Sequence, residues 1–400
     1  MSDLTQIEKV ILYETVTDYA NFNNRSLNNV VSDISALNPE LIFRCFWQQL
    51  PVPNSCNDIT DPSSKQQCIN SGYSYEAIKN SIYAIKQSLP SCIIIGAIPP
   101  QLIKREGLYN PKLNTTLLYP ATWDMALDPS KWGITAKSKS QVQCEFAQIL
   151  YWYNPASACS LYDYSTVPFY FPDLTNPQFQ EFFLSWVYSQ IDAGEDGIWI
   201  DMLTMQAQIL YNIVLDLKHP SIIDTINAID YIVNSIHNYG TSIGKYIYVG
   251  SWISIAALNI SSTIDFLTLT PDRSEVSSMQ YNESQWDNRL SIVKGKYPST
   301  KIIGFIDWSN DAGTQLGIFT QTLTSQQRLD FLKITKDFFD KKGITFSYPV
   351  HGGYMGYNAT LSSFGTTKFY DSKAPEFDTY NTIKFLMSCT QPTCGFTILT

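Results

Sequence analysis

Three acidic residues stand where short apolar runs of the sequence end. These are Glu14, Asp201 and Asp307. If the runs are parallel strands, the three carboxylates meet at one edge of the sheet, where they repel each other and one holds a raised pKa. Glycoside hydrolysis needs such a pair, because one carboxylate attacks or steers water while another protonates the leaving oxygen. Asp201 and Asp307 are therefore predicted to be catalytic.

An apolar residue stands two positions before each of these carboxylates. The three are Leu12, Trp199 and Phe305. Side chains alternate along a strand, so each apolar residue shares a face with the carboxylate that follows it. The pattern predicts an apolar interior beneath a rim of acidic groups.

Other residues near the ends of apolar runs are predicted to contact a substrate. They are Glu14, Trp47, Trp252, Glu275, Trp308 and His351. Indole rings stack on the faces of sugar rings, so the three tryptophans would form a sugar-binding rim. The alternative for each tryptophan is ordinary packing, and the alternative for Glu14 and His351 is a structural role in the rim or its loops.

Eight apolar runs alternate with amphipathic helical patterns. The runs cover residues 9–14, 41–47, 92–98, 196–201, 245–250, 264–270, 301–307 and 344–349. The helical patterns cover residues 73–89, 176–193, 221–238, 283–296, 325–342 and 375–387. Parallel strands that are buried on both faces give such runs, so the fold class is α/β and the architecture is a (β/α)8 barrel. No glycine-rich dinucleotide fingerprint follows a run, and we predict no cofactor.

The chain is predicted to be one barrel domain over residues 1–400 with a long insertion. The insertion covers about residues 100–175, between the third and fourth strands. Loops that follow barrel strands lie on the C-terminal face, where active sites form. A loop of this length on that face is usually functional.

Two segments of the sequence resemble the retaining α-glycosidases of glycoside hydrolase family 31 and their barrel relatives. They are Pro172-Asp-Leu-Thr-Asn-Pro177 and Asp196-Gly-Ile-Trp-Ile-Asp-Met202. The resemblance covers about 30 residues. It implies that Asp201 is the nucleophile at the end of the fourth strand. The same family places its acid/base after the sixth strand, which here implies Asp272; Glu275 or Asp307 are the alternatives.

Eight cysteines predict four disulfides and an oxidising compartment. Three local pairs are Cys56 with Cys68, Cys144 with Cys159, and Cys389 with Cys394. Cys45 and Cys92 lie on neighbouring strands and would form the fourth. The sequence contains five Asn-x-Ser/Thr sites, which agree with export. The first ten residues lack the features of a signal peptide, so the chain is either cytoplasmic or a mature form; we predict an extracellular or cell-surface location.

Charge and composition narrow the partners. The net charge is −9, which disfavours nucleic acid and anionic membranes. No apolar stretch is long enough to predict a membrane span, and the three scattered histidines make a metal site improbable. Only 16% of residues are charged, which indicates adaptation to an acidic, hot habitat or else compositional drift. The sequence does not define an oligomeric state.

The main prediction is a glycoside hydrolase that acts on an oligo- or polysaccharide. A non-catalytic carbohydrate-binding or cell-surface protein on the same barrel is the alternative, because Leu203 and Thr204 stand where family 31 has Asn-Glu. A barrel enzyme of other chemistry, such as a metal-dependent hydrolase, is a third reading.

Overall fold

The computed structural model describes residues 4–14, 16–19, 25–110, 115–149, 159, 163–307, 313–354 and 369–389. Eight parallel strands close into a barrel: β1 Val10–Tyr13, β2 Leu41–Phe43, β3 Ile93–Ile98, β4 Gly197–Ile200, β5 Tyr248–Trp252, β6 Phe266–Leu269, β7 Lys301–Phe305 and β8 Thr345–Tyr354. Strand β1 pairs with both β2 and β8, which closes the barrel. A ninth strand, β9 Phe369–Asp371, pairs antiparallel with β8. The predicted (β/α)8 barrel is confirmed.

Helices surround the barrel. The α-helices are Leu27–Leu37, Pro62–Ser71, Tyr75–Ser88, Ala121–Asp124, Lys139–Ile149, Pro177–Asp192, Met205–Val214, Pro220–Ser242, Arg273–Ser278, Glu283–Lys296, Gln315–Gly317, Ser325–Lys342 and Tyr380–Ser388. Two of them, Glu283–Lys296 and Ser325–Lys342, have the predicted bounds. The described helices include none that combines the length and the apolar character needed to cross a bilayer.

The barrel interior is a separate apolar core. It includes Val10, Leu12, Leu41, Phe43, Ile95, Trp199, Phe266, Ile303 and Phe305, with Trp47 and Trp252 packed on it. The predicted alternation is confirmed, because Leu12, Trp199 and Phe305 all fill this interior. A larger core joins the outer faces of the strands to the helices.

The insertion after β3 has its own small elements. Ile103–Lys104 pairs with Phe169–Tyr170, and Leu108–Asn110 pairs with Thr115–Leu117. An apolar cluster that includes Leu127, Phe146 and Phe171 packs against Leu210 of the helix Met205–Val214. The insertion therefore braces the helix that begins four residues after Asp201.

Two predicted disulfides are present, Cys56–Cys68 and Cys144–Cys159. Cys389 is also disulfide-bonded, and its predicted partner Cys394 lies outside the described residues.

The predicted pairing of Cys45 with Cys92 is wrong, because both are free buried thiols. The backbone N–H of Cys45 donates to the carbonyl of Ile95. Cys92 stands three residues before Ile95, so it lies roughly 10 Å further along the strand, beyond the reach of a disulfide.

Candidate active site

Asp201 follows β4 directly and lies at the C-terminal rim. Its backbone N–H donates to the carbonyl of Ile98 on β3, and its partly exposed carboxyl accepts a hydrogen bond from the indole N–H of Trp252. Burial raises the pKa of Asp201, against the charge of Arg44 and the hydrogen bonds from Trp252 and the Met202 backbone, which lower it. Asp201 caps no helix: the helix Met205–Val214 begins after Thr204.

Glu14 follows β1 and is buried, with 1% of the residue exposed. One carboxylate oxygen lies 2.7 Å from Nε of Arg44, and the other accepts the backbone N–H of Gly353 at 3.0 Å. Both oxygens thus face protein groups, and a direct contact of Glu14 with a substrate stays a prediction. Glu14 reaches the site through Arg44.

Asp307 follows β7 and is the more exposed partner of Arg44. Its Oδ1 lies 3.3 Å from Nη1 of Arg44, and 28% of its side chain is exposed. Its backbone N–H donates to Oγ1 of Thr270 at 3.1 Å, which fixes the end of β7 against the end of β6. One guanidinium thus joins the carboxylates that follow β1 and β7.

The sequence analysis did not identify Arg44. The side chain is buried, and its guanidinium lies 4.5 Å from the ring centroid of Trp47 and 5.1 Å from that of Trp199. A signal for it was present, because a charged residue within an apolar run must find a partner when it is buried. Arg44 pairs with Glu14 and Asp307, its charge acts on Asp201, and its guanidinium lies over two indole rings.

Two of the three predicted tryptophans are placed at the mouth of the barrel. Trp252 is partly exposed and packs against Trp199 and Phe305, with ring centroids 5.3 Å and 5.2 Å apart. Trp47 is also partly exposed, and its ring lies 6.2 Å from that of Trp199. Trp308 lies outside the described residues.

Asp272 and Glu275 begin the helix that follows β6. The carboxylate of Asp272 lies 3.0 Å from Nη2 of Arg289 and accepts a hydrogen bond from Gln285. Glu275 is buried; it accepts the backbone N–H of Asp272 and the indole N–H of Trp286, both at 2.9 Å. Glu275 therefore secures the start of this helix, and its contact with a substrate stays a prediction.

His351 lies within β8 and is fully buried. Its Nδ1 is 2.7 Å from the carbonyl oxygen of Glu14, and its ring stacks on Tyr13 with centroids 5.0 Å apart. Burial lowers the pKa of His351, which favours the neutral ring. In this structure His351 holds β8 against β1, and its contact with a substrate stays a prediction.

The two segments that carry the family resemblance are largely structural. Asp173 accepts the amide of Gln206 at 3.0 Å, and the Leu174 backbone N–H donates to the same Gln206 side chain at 2.6 Å. Asn176 caps the helix Pro177–Asp192. At the start of β4, Asp196 accepts the backbone N–H of Ile94 at 2.9 Å. Within these segments, Asp201 alone extends a described side chain to the rim.

The rim can therefore both donate and accept a proton. The carboxyl group of Asp201, with a raised pKa, and the carboxylate of Asp307, paired with Arg44, both lie at this rim above the aromatic barrel interior. Among the described residues, no three His, Cys, Asp or Glu side chains are grouped so as to hold a metal ion.

No protein family and no characterised protein matches the sequence. Among solved structures, a cyclic α-maltosyl-(1→6)-maltose hydrolase from Arthrobacter globiformis is similar, with a TM-score of 0.51, 9% identity, and 96% of this chain and 82% of that one covered. An acarbose-soaked debranching enzyme from Nostoc punctiforme is also similar, with a TM-score of 0.50, 10% identity, and 96% of this chain and 82% of that one covered.

A γ-CGTase from alkalophilic Bacillus clarkii gives a TM-score of 0.49 and 11% identity; this chain covers 57% of its length, and 96% of this chain is aligned. The resemblance to family 31 remains a prediction from sequence motifs. The first two likenesses show that the chain has the barrel fold found in those two carbohydrate-acting enzymes.

Proposed function

We propose that the chain is a glycoside hydrolase that acts on an oligo- or polysaccharide through Asp201 and Asp307. The observation that carries the proposal is the pair itself. Two acidic side chains reach the C-terminal rim from β4 and β7, and only one of them is paired with Arg44 through a direct contact. The names of the similar Arthrobacter and Nostoc enzymes agree with this class of substrate.

The reaction uses both carboxyl groups at once. One carboxylic acid gives its proton to the glycosidic oxygen as the bond from the anomeric carbon breaks, and that oxygen keeps both electrons of the bond. The other carboxylate either takes a proton from the water that attacks the anomeric carbon or attacks that carbon itself, after which water releases the sugar. Trp47 and Trp252 offer ring faces for the sugars on either side.

Asp272 is the second candidate for the carboxyl group that works with Asp201. Its carboxylate is held by Arg289 and Gln285 on the neighbouring helix Glu283–Lys296. Asp307, in contrast, already lies at the rim in contact with Arg44. We therefore rank Asp307 above Asp272.

The test is hydrolysis of a panel of α- and β-linked oligosaccharides and polysaccharides between about pH 2 and pH 7, a range wide enough to titrate ordinary and raised carboxyl pKa values. We expect Asp201→Asn to lose about a thousandfold or more in kcat while it stays folded, since losses of this size follow removal of a catalytic group. Asp330→Asn, on the surface of the helix Ser325–Lys342, is the matched control and should keep its activity.

Equal activity of the wild type and Asp201→Asn would overturn the role of Asp201. Binding of a sugar without any cleavage would instead favour the non-catalytic carbohydrate-binding protein. The extracellular location is part of the same proposal, and the disulfides Cys56–Cys68 and Cys144–Cys159 support it, because such bonds persist in oxidising compartments.

A further inference from the structure

Arg44 has a backbone conformation that few arginines adopt. Its φ is +55°, and Met202, the residue after Asp201, has a φ of +54°. Other described non-glycine residues with positive φ mostly end helices, where the left-handed conformation is customary: Asn38, Leu215 and Met279. Arg44 and Met202 end no helix. They follow β2 and β4 at the rim, and strain that persists at such places marks function.

The left-handed turn explains how Arg44 reaches the site. Phe43 points into the barrel interior, so simple alternation would turn the next side chain outward. The conformation of Arg44 breaks this alternation, and the guanidinium lies instead over the inward-facing ring of Trp199.

The contacts of Arg44 are unequal among the three carboxylates. Nε meets Glu14 at 2.7 Å and Nη1 meets Asp307 at 3.3 Å, so the planar guanidinium is fixed at two points. The charge of Arg44 acts on Asp201, whose carboxyl group accepts a hydrogen bond from the Trp252 indole N–H. Burial outweighs these effects, so the pKa of Asp201 is raised.

We propose that Arg44 is a positioning residue that divides the work between the two catalytic carboxyl groups. It holds Asp307 ionised and oriented toward the attacking water or the anomeric carbon, and it leaves Asp201 to carry the proton for the glycosidic oxygen. This inference rests on the proposed function and reverses the role that the family resemblance implies for Asp201.

The first test needs no substrate. The fluorescence of Trp252 reports the protonation of Asp201, because the indole N–H donates to that carboxyl group. We expect a titration step in the wild type that Asp201→Asn and Trp252→Phe abolish. In Arg44→Gln the step should move to higher pH, because the nearby positive charge is gone. Arg44→Lys keeps the charge and should return the step toward that of the wild type.

Arg25→Gln is the matched control. Arg25 also joins two carboxylates, those of Asp33 and Asp371, but outside the barrel mouth. Its loss should lower stability without moving the Trp252 step. An unmoved step in folded Arg44→Gln, or an equal movement in Arg25→Gln, would overturn the proposal.

The second test uses the substrate that the panel identifies. In Arg44→Gln, both limbs of the pH profile of kcat should move to higher pH. The maximum of kcat should fall about a hundredfold, as when a reacting group is misplaced. Arg44→Lys should restore the limbs but not kcat, since it lacks the two-point contact.

Leaving-group chemistry separates the two roles. A dinitrophenyl glycoside of that sugar needs no acid, because its leaving group is already stable as an anion. In the first turnover, Asp201→Asn should therefore release the dinitrophenolate at a rate near that of the wild type, and Asp307→Asn should not; the opposite pattern would overturn the division of roles. If no substrate is cleaved, the proposed function fails, while the fluorescence titration still decides the part that concerns Arg44.

Discussion

Two acidic groups with raised pKa values stand at the two ends of one strand, and they have opposite surroundings. Glu195 lies just before β4 and Asp201 just after it. Burial raises the pKa of both. Asp201 has an indole donor and a nearby guanidinium. Among the described residues, neither carboxyl oxygen of Glu195 has a hydrogen-bond partner.

A raised pKa alone therefore does not identify a catalytic group. Glu195 is fully buried against the outer face of β3, where a Cβ on Gly96 would lie 1.8 Å from its Oε2. Its exposed fraction is 0%, so solvent does not contact it in this structure. Asp201 combines the same cause of the shift with partial exposure and charged neighbours, and that combination distinguishes a candidate site.

Glu14 and Glu195 are both buried, and replacing each by glutamine should change stability in opposite directions. Glu14→Gln should lower the free energy of unfolding by about 3 kcal/mol or more, because it removes the charge of the carboxylate closest to the buried guanidinium of Arg44. Urea denaturation at neutral pH measures this. Glu283→Gln, in an exposed pair with Lys341, is the control and should leave the free energy of unfolding almost unchanged. A cost for Glu14→Gln as small as that of the control would contradict the comparison.

Gly96→Ala tests how tightly Glu195 is packed. The added methyl group meets the carboxyl group, so we expect a loss of about 1–3 kcal/mol in the free energy of unfolding, typical of overpacking. The loss should shrink in the background of Glu195→Ala, which removes the clashing atoms. Equal costs in both backgrounds would show that the close contact is not the cause.

Glu195→Gln should have the opposite sign from Glu14→Gln. Because the folded-state pKa of Glu195 is raised, its stabilising effect is complete below the ordinary glutamate pKa and is lost as pH rises through the folded value. The amide does not titrate. The variant should therefore gain about 1.4 kcal/mol over wild type for each pH unit above about 4.3 at which the native carboxyl stays protonated. Denaturation at several pH values measures the gain, and parallel curves would refute it.

Trp252→Phe should give the smallest effect. The ring face is kept while the hydrogen bond to Asp201 is lost, which raises the pKa of that carboxyl further and costs about 1 kcal/mol. If Asp201 is the acid, the basic limb of the pH profile of kcat moves to higher pH, and the maximum of kcat changes little. A downward movement would show that the indole stabilises the neutral form.

The strands were predictable because buried parallel strands leave long apolar runs. Their ends were less so: the run 41–47 was predicted whole, yet β2 ends at Phe43, because Arg44 turns left-handed there. The same turn explains why Arg44 was missed, since a pattern of alternation gives no sign that it will break. Local cysteine spacing predicted Cys56–Cys68 and Cys144–Cys159.

Of the candidate site, the sequence predicted the carboxylates better than their roles. Position at a strand end brought Asp201 and Asp307 to one rim. Position could not tell that Glu14 and His351 would be buried, because that depends on contacts between β1 and β8, which are about 340 residues apart. The helix cap at Glu275 likewise depends on Trp286, on the next helix.

The burial of the pair between Glu14 and Arg44 has a consequence for ionic strength. Mobile ions screen charges that face water, and they reach buried pairs far less. Only 1% and 3% of these two side chains are exposed, whereas the surface pair of Lys341 with Glu283 exposes more than half of each. Added salt should weaken the exposed ion pairs and leave the pair between Glu14 and Arg44 intact. The position of the Arg44 guanidinium at the rim should therefore be the same in concentrated salt and in dilute buffer.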